Sequence, residues 1–177
     1  MTTTTNGAVV HDDKSRRDFL YIAAGAFGAV GAAATIWPFI SQMSPSADVL
    51  AQKEIEFDLS PIAVGQIVTV KWQSKPVFIW HRTATDIKAA EAAKLADLRD
   101  PQTDQARVQK PEWLVLIGIC THLGCIPVGH EGPFEGFLCH CHGSVYDTSG
   151  RIRQGPAPAN LAVPPYKFLT DTKVRIG

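Results

Sequence analysis

The apolar positions of this chain fall into two regimes. From Phe19 to Ile40 it reads FLYIAAGAFGAVGAAATIWPFI, 22 residues without a charge, and a helix of that length spans ~30 Å of hydrocarbon. A retained membrane-spanning helix is predicted here, because a cleaved secretory signal has an apolar core of only about 7–15 residues. The competing reading, a buried helix of a soluble core, is weakened because nothing charged interrupts the run. Ser41 to Val49 is then small, polar and broken by Pro45, which is linker composition. Beyond it the segments EIEFDL (54–59), QIVTVKW (66–72) and PVFIWHR (76–82) are rich in β-branched and aromatic residues with turn residues between them, the pattern of short antiparallel strands. TATDIKAAEAAKLADL (83–98) is alanine-rich and carries Thr83 three residues before Asp86, a capping box that predicts one helix. A polar excursion, RDPQTDQARVQKPE (99–112), precedes WLVLIGI (113–119), read as a buried strand. Gly and Pro recur through 124–165. The whole predicts an all-β antiparallel domain with one inserted helix, behind a single N-terminal transmembrane helix.

Charge narrows the partners. Seventeen Lys and Arg against seventeen Asp and Glu give a formal net charge of +0, so no basic stripe or acidic tail points to nucleic acid or another polyanion. Arg16-Arg17 stand directly before the apolar run. That pair reads as a twin-arginine export signal, a route for folded cargo, and the positive-inside rule keeps the N-terminus in the cytoplasm. The chain has no C-x-x-C-H haem attachment and no multispan domain, so it is expected to act as a subunit rather than alone.

The chemistry is concentrated in CTHLGC (120–125) and CHCHGS (139–144), which hold all four cysteines and three of the six histidines. Cys120 and His122 in one box, and Cys139 and His142 in the other, let two loops each present one thiolate and one imidazole to a shared site. Two occupants fit: zinc with Cys₂His₂, or a [2Fe–2S] cluster with two cysteines on one iron and two histidines on the other. Zinc fingers usually draw each ligand pair from like residues, and the mixed pairs here favour the two-iron centre. Cys125 and Cys141 are left over, one per loop, and in an oxidising compartment they are expected to form a disulfide. His140 is adjacent to Cys139, so in extended backbone it faces the other way and is not expected to ligate. His11, His81 and His130 have no partner at ligand spacing and are read as ordinary surface or loop residues.

The boxes C-T-H-L-G-C and C-x-C-H-G-S-x-Y-D resemble those of the Rieske iron–sulfur proteins, and more narrowly those of the Rieske subunits of cytochrome bc complexes. The likeness extends to the twin-arginine anchor, the 98–113 segment and SGRIRQGPAPANL (149–161). It implies stacked antiparallel sheets with a small cluster-binding subdomain at about 114–161. Residues 1–40 would form the export segment and anchor, 41–51 a flexible hinge and 52–177 the soluble domain.

It further implies one [2Fe–2S] cluster, with Cys120 and Cys139 on the inner iron, His122 and His142 on the exposed iron, and a Cys125–Cys141 disulfide. Ser144 and Tyr146 match the hydroxyl donors to sulfur. Gly155-Pro156-Ala157-Pro158 matches the loop covering the cluster, and Leu123 the apolar residue that docks the tip. His142 is the expected hydrogen-bond partner and proton acceptor of the quinol, beside His122. Two positions depart from the pattern. His140 stands where most relatives have proline, which is expected to loosen that loop, and Val145 replaces a common histidine.

The implied function is electron and proton acceptance from ubiquinol and delivery of the electron to a c-type cytochrome. The implied partners are cytochrome b, the c-type cytochrome and inner-membrane lipid in a dimeric complex, with the domain in the periplasm. An exported Rieske subunit of an oxidase such as arsenite oxidase is the alternative, but it is not expected to carry the 98–113 segment.

Overall fold

The computed structural model describes residues 16–47 and 53–177. His11, Ser15 and residues 48–51 of the expected linker lie outside the described residues. The chain divides into two units, one ending at Ser46 and one beginning at Ala47.

Among the described residues the first unit holds one helix, α1 (Arg16–Ser41), 26 residues with a mean hydropathy of 1.8 in its most apolar window. At 1.5 Å per residue it is about 39 Å long, enough to cross a bilayer. Within its apolar stretch Thr35 donates its hydroxyl to the Gly31 carbonyl at 2.8 Å, so that polar group is satisfied inside the helix. Pro38 sits in the last turn, where the Gln42 N–H still reaches its carbonyl at 2.9 Å.

The second unit is built from three antiparallel sheets. The first comprises β1 (Ile55–Asp58), β10 (Lys173–Ile176) and β9 (Tyr166–Phe168), in that order. The second comprises β2 (Ile67–Trp72), β3 (Lys75–His81) and β4 (Trp113–Ile117). The third, β5 (Val128–Gly129), β6 (Glu135–Cys139), β7 (Ser144–Asp147) and β8 (Ile152–Gln154), carries the second cysteine box in its β6–β7 turn.

The middle sheet is covered on both faces. Along β3, Val77 and Ile79 join a core with Leu59, Ile62, Val174 and Ile176, while Phe78 and Trp80 join a second core with Phe137, Tyr146, Ile152 and Leu161. Trp113 and Val115 against Leu114 and Leu116 repeat the division on β4. Successive strand side chains point to opposite faces. Sheets on both sides therefore turn VFIW and WLVLI into continuous apolar runs rather than an alternation.

Two expectations are corrected. The helix predicted over 83–98 stops early: α2 runs Ala84–Ala92 and a single 3₁₀ turn follows at Leu95–Asp97. The capping box is present, with the Thr83 hydroxyl accepting from the Asp86 N–H and the Asp86 carboxylate accepting from the Thr83 N–H. At the other end Ala93 leaves helical geometry (φ −69°, ψ 122°) and the chain turns so that Leu98 is buried. Alanine propensity is overridden by that burial. Nor is His81 a surface or loop residue. It ends β3, stacks on Trp113 at 4.1 Å and places Nδ1 2.9 Å from the Ile62 carbonyl oxygen.

The polar excursion is not a solvated one. Asp104 and Arg107 are buried with Arg82, Asp147 and Arg151. Arg82 grips Asp104 in a two-pronged pair at 2.7 and 2.9 Å. Arg107 donates to the carbonyls of Ser149 (2.8 Å) and Leu161 (2.5 Å), and Arg151 to Asp147 (2.9 Å), Gln102 (3.1 Å) and Ala90 (2.6 Å). Three buried guanidinium groups thus fasten α2, the 99–112 segment and the third sheet together, each with its donors used. Burial pushes the Arg107 guanidinium down to about 10, so it remains charged at neutral pH.

Candidate metal centre

Each cysteine box folds into a loop closed on its own first cysteine. The Gly124 N–H donates to the Cys120 carbonyl at 3.0 Å, and the Gly143 N–H to the Cys139 carbonyl at 2.9 Å. The Cys120 N–H is in turn held by the Cys125 carbonyl at 2.7 Å. These turns lie side by side because Cys125 and Cys141 form a disulfide joining them, with Cα atoms 6.7 Å apart. Sγ of Cys125, Cys139 and Cys141 lie within 4.8 Å of one another. Two of those three sulfurs are consumed by the disulfide, so this trio is not itself a ligand set.

The remaining thiols, Cys120 and Cys139, are free and each 2 % exposed, at the edge of the core that holds Phe137 and Tyr146. The rings of His122 and His142 meet edge to face at 4.7 Å, with His142 exposed and His122 half-buried. Nδ1 of His122 is buried without a hydrogen-bond partner. A buried, unsatisfied polar atom is costly. Beside two free buried thiols, it is what a metal ligand looks like without its metal.

Of the two hydroxyls expected to face sulfur, Ser144 Oγ accepts from the Ala157 N–H at 3.2 Å, and that of Tyr146 reaches a thiol. The Tyr146 hydroxyl donates to Cys120 Sγ at 3.2 Å and accepts from the Thr121 N–H at 3.3 Å. Burial pushes the Cys120 thiol up, but hydrogen bonds from the Tyr146 hydroxyl, the His122 N–H, Cys139 and Ser144 outweigh it and hold the group below its ordinary value. Cys139 moves the other way, raised by burial and by its Cys120 neighbour. The surroundings therefore favour negative charge at Cys120 and disfavour it at Cys139. Burial and the bond to Cys120 raise Tyr146 above the usual phenol range, so its hydroxyl stays a donor.

The 155–160 loop crosses this site. Gly155 (φ +92°) passes so close to the second box that a Cβ there would lie 2.5 Å from the Gly143 oxygen, which only glycine tolerates. Pro156 is exposed beside it, and Ala157 is buried. Leu123 stands out from the first box at 69 % exposure. His140 is exposed, and its Nε2 meets Glu131 Oε2 at 2.6 Å, a contact that joins the second box to the β5–β6 turn. Val145 is buried, and His130 is exposed, edge-on to Trp80 at 5.0 Å.

Four residues absent from the sequence reading hold the covering loop in place. Arg99 Nη1 donates to the carbonyls of Gly155 (2.7 Å) and Ala157 (2.6 Å). Thr121 donates to the Ala159 carbonyl at 2.6 Å. Asn160 accepts from the Ile152 N–H at 2.9 Å, while Asp100 accepts from the Asn160 N–H at 3.0 Å. These bonds end mostly on backbone atoms, which leave no residue-type signal to read.

Residues 57–166 match the Rieske [2Fe-2S] domain, and residues 3–46 match the TAT signal of the ubiquinol–cytochrome c reductase Fe–S subunit. Over 169 residues the chain is 61 % identical to the ubiquinol–cytochrome c reductase iron–sulfur subunit of Bradyrhizobium diazoefficiens, a match covering 94 % of this chain and 96 % of the relative. It is 53 % identical over 162 residues to the mitochondrial cytochrome b-c1 complex subunit Rieske of Neurospora crassa, covering 90 % and 70 %. A solved structure described as hyperthermophilic respiratory Complex III aligns with a TM-score of 0.50 at 30 % identity, over 87 % of this chain and 98 % of that one. Anchor, middle sheet and cysteine boxes are thus shared along nearly the whole length, and the chain belongs to the Rieske [2Fe-2S] family, among its ubiquinol–cytochrome c reductase iron–sulfur subunits.

Proposed function

We propose that this chain is the tethered electron-transfer subunit of a quinol–cytochrome c oxidoreductase. The observation that carries the reading is the sorting of the boxes: two cysteines spent on a disulfide, two left free and buried, and two imidazoles in contact above them. Cys120 and Cys139 would hold the inner iron through Sγ, and His122, through Nδ1, and His142 the outer one. Bound there, a [2Fe–2S] cluster supplies a one-electron acceptor whose potential lies roughly hundreds of millivolts above that of a four-thiolate centre.

The chain's own residues account for the rest. Two neutral imidazoles in place of two thiolates leave the ligand set less negative by two charges, which favours gaining an electron. Hydroxyl donors at Tyr146 and Ser144 stabilise the more negative state further. His142, the exposed imidazole, accepts the quinol O–H hydrogen bond at a ring nitrogen and takes its proton, with His122 as its less accessible neighbour. Leu123 gives the tip an apolar surface for docking on cytochrome b, where the quinol is held. Gly155 and Pro156 cover the site and keep water from the sulfurs.

Residues 1–40 serve as export segment and anchor, 41–51 as the hinge and 52–177 as the working domain, with about 114–161 forming the cluster-binding part. The N-terminus lies in the cytoplasm, α1 crosses the bacterial inner membrane once among its lipids, and the domain works in the periplasm between cytochrome b and a c-type cytochrome of a dimeric complex. The test is low-temperature EPR on membranes containing the full chain, reduced with ascorbate alone, with iron and zinc analysis of the purified protein. A Rieske-type signal with about two irons per chain is expected. Zinc without iron overturns the reading, and a signal needing a stronger reductant overturns the high-potential assignment.

A further inference from the structure

We propose that Arg99 is a positioning residue for the redox site, acting through the covering loop on the Ser144 hydroxyl. The inference rests on the ligand reading above and concerns a residue in the polar segment rather than in either box.

The chain of contacts is short. Arg99 Nη1 donates to both the Gly155 carbonyl (2.7 Å) and the Ala157 carbonyl (2.6 Å), so one nitrogen pins two carbonyls that straddle Pro156. The peptide N–H of Ala157, held between those points, donates to Ser144 Oγ at 3.2 Å. A hydroxyl that already accepts one hydrogen bond has one proton left to give, and the Ala157 N–H blocks that proton from turning toward the loop. Ser144 also stands directly opposite Cys139 in the β6–β7 ladder, and cross-strand partners share a face of the sheet, so its hydroxyl lies on the side of the free thiols. Arg99 therefore fixes which way the Ser144 proton points without touching any sulfur. The side chains on the path are well chosen for this. Ser144 and Ala157 are buried, so water does not compete for the hydroxyl. Gly155 allows the loop to approach the second box closely enough for the contact to form.

Arg99 itself is exposed, which makes it replaceable without a buried charge being left behind. Its two acceptors are main-chain carbonyls rather than a carboxylate. An exposed cation bonded only to neutral carbonyls adds little as a surface charge partner, and its reach to both ends of Pro156 is what distinguishes it.

The test is a double-variant cycle read as the midpoint potential of the cluster, by EPR-monitored redox titration of membranes holding the assembled complex. The set is Arg99→Ala, Arg99→Lys, Ser144→Ala and Arg99→Ala with Ser144→Ala. Expected are a lower potential for Ser144→Ala, a smaller shift in the same direction for Arg99→Ala, and no further shift from Arg99→Ala in the Ser144→Ala background. Arg99→Lys, which keeps the charge and can reach one carbonyl, is expected to fall between the wild type and Arg99→Ala. An equal shift from Arg99→Ala in both backgrounds would reveal a plain charge effect and overturn the proposal. So would no shift from Arg99→Ala while Ser144→Ala still lowers the potential, a result that leaves the ligand reading standing. If Ser144→Ala leaves the potential unchanged, the role given to that hydroxyl fails and the proposal with it. Should Arg99→Ala lose the cluster, Arg99→Gln, with its amide donor and no charge, takes its place in the same cycle and is judged by the same outcomes.

Discussion

At the scale of single residues, the site's chemistry was written in residue types, and its support was not. Cys120, Cys139, His122 and His142 are rare side chains at telling spacings, so a sequence displays them. Arg99, Thr121 and Asn160 act on carbonyls and amide groups, and any spacing would have served. Tyr146 lies between these cases, since its ring fills the core while its hydroxyl works. Tyr146→Phe is therefore expected to keep the fold and to remove the 3.2 Å bond to Cys120 Sγ together with the acceptor of the Thr121 N–H. A hydrogen bond to a charged acceptor contributes about 1.5–3 kcal/mol, and a one-electron couple would fall by roughly 65–130 mV. An unshifted midpoint potential in that variant would show that the hydroxyl serves packing alone. Asp104 is the opposite kind of residue, invisible as anything but a polar loop position. Replacing it with alanine strands the Arg82 guanidinium in the interior and should cost about 3–5 kcal/mol by chemical denaturation. Burial pushes the Asp104 carboxyl up, but bonds from Arg82 and Ser149 outweigh it and hold it below its ordinary 3.8. Its folded value is thus depressed. The stability it contributes is complete above the unfolded value and lost as pH falls through the folded one. Asp104→Ala should accordingly flatten the acid limb of the stability curve below about pH 4.

At the scale of elements, period and capping were legible where one local interaction decides the outcome. The strands at 55–58, 67–72 and 113–117 lie within the apolar segments that forecast them, the strand at 75–81 begins one residue ahead of its segment, and the capping box formed at Thr83 as its spacing implied. What could not be read is where α2 stops, because burial of the distant Leu98 settles it. The two cysteine loops make the same point, since the sixteen-residue separation of Cys125 and Cys141 is visible but their adjacency depends on the β5–β6 pairing, which sets Val128 opposite Leu138. A cross-link over that span contributes about 3 kcal/mol, largely by restricting the unfolded chain. Replacing both cysteines with serine should leave the first and second sheets folded by far-UV circular dichroism, while the cluster bleaches at lower temperature than in the wild type. An unchanged bleaching temperature would mean the β5–β6 pairing holds the loops without the clip.

At the scale of the whole molecule, the sequence announced an anchor and an all-β domain but not their layering, because a strand buried on both faces looks alike whichever sheets cover it. A proline inserted within 46–50 is expected to leave the EPR signal of the cluster intact and slow quinol–cytochrome c turnover, and unchanged turnover would rule out a swinging hinge. The layering also bears on the mechanics of such motion. Chain tension arriving from the linker meets the domain first at β1, whose ladder runs from Ile55 opposite Ile176 to Asp58 opposite Lys173. The cysteine loops belong with the third sheet, beyond the opposite face of the middle one. A pull strong enough to fray the first ladder would thus be spent there, with a full layer of Trp, Val and Ile side chains left as a buffer between the strain and the two cysteine boxes.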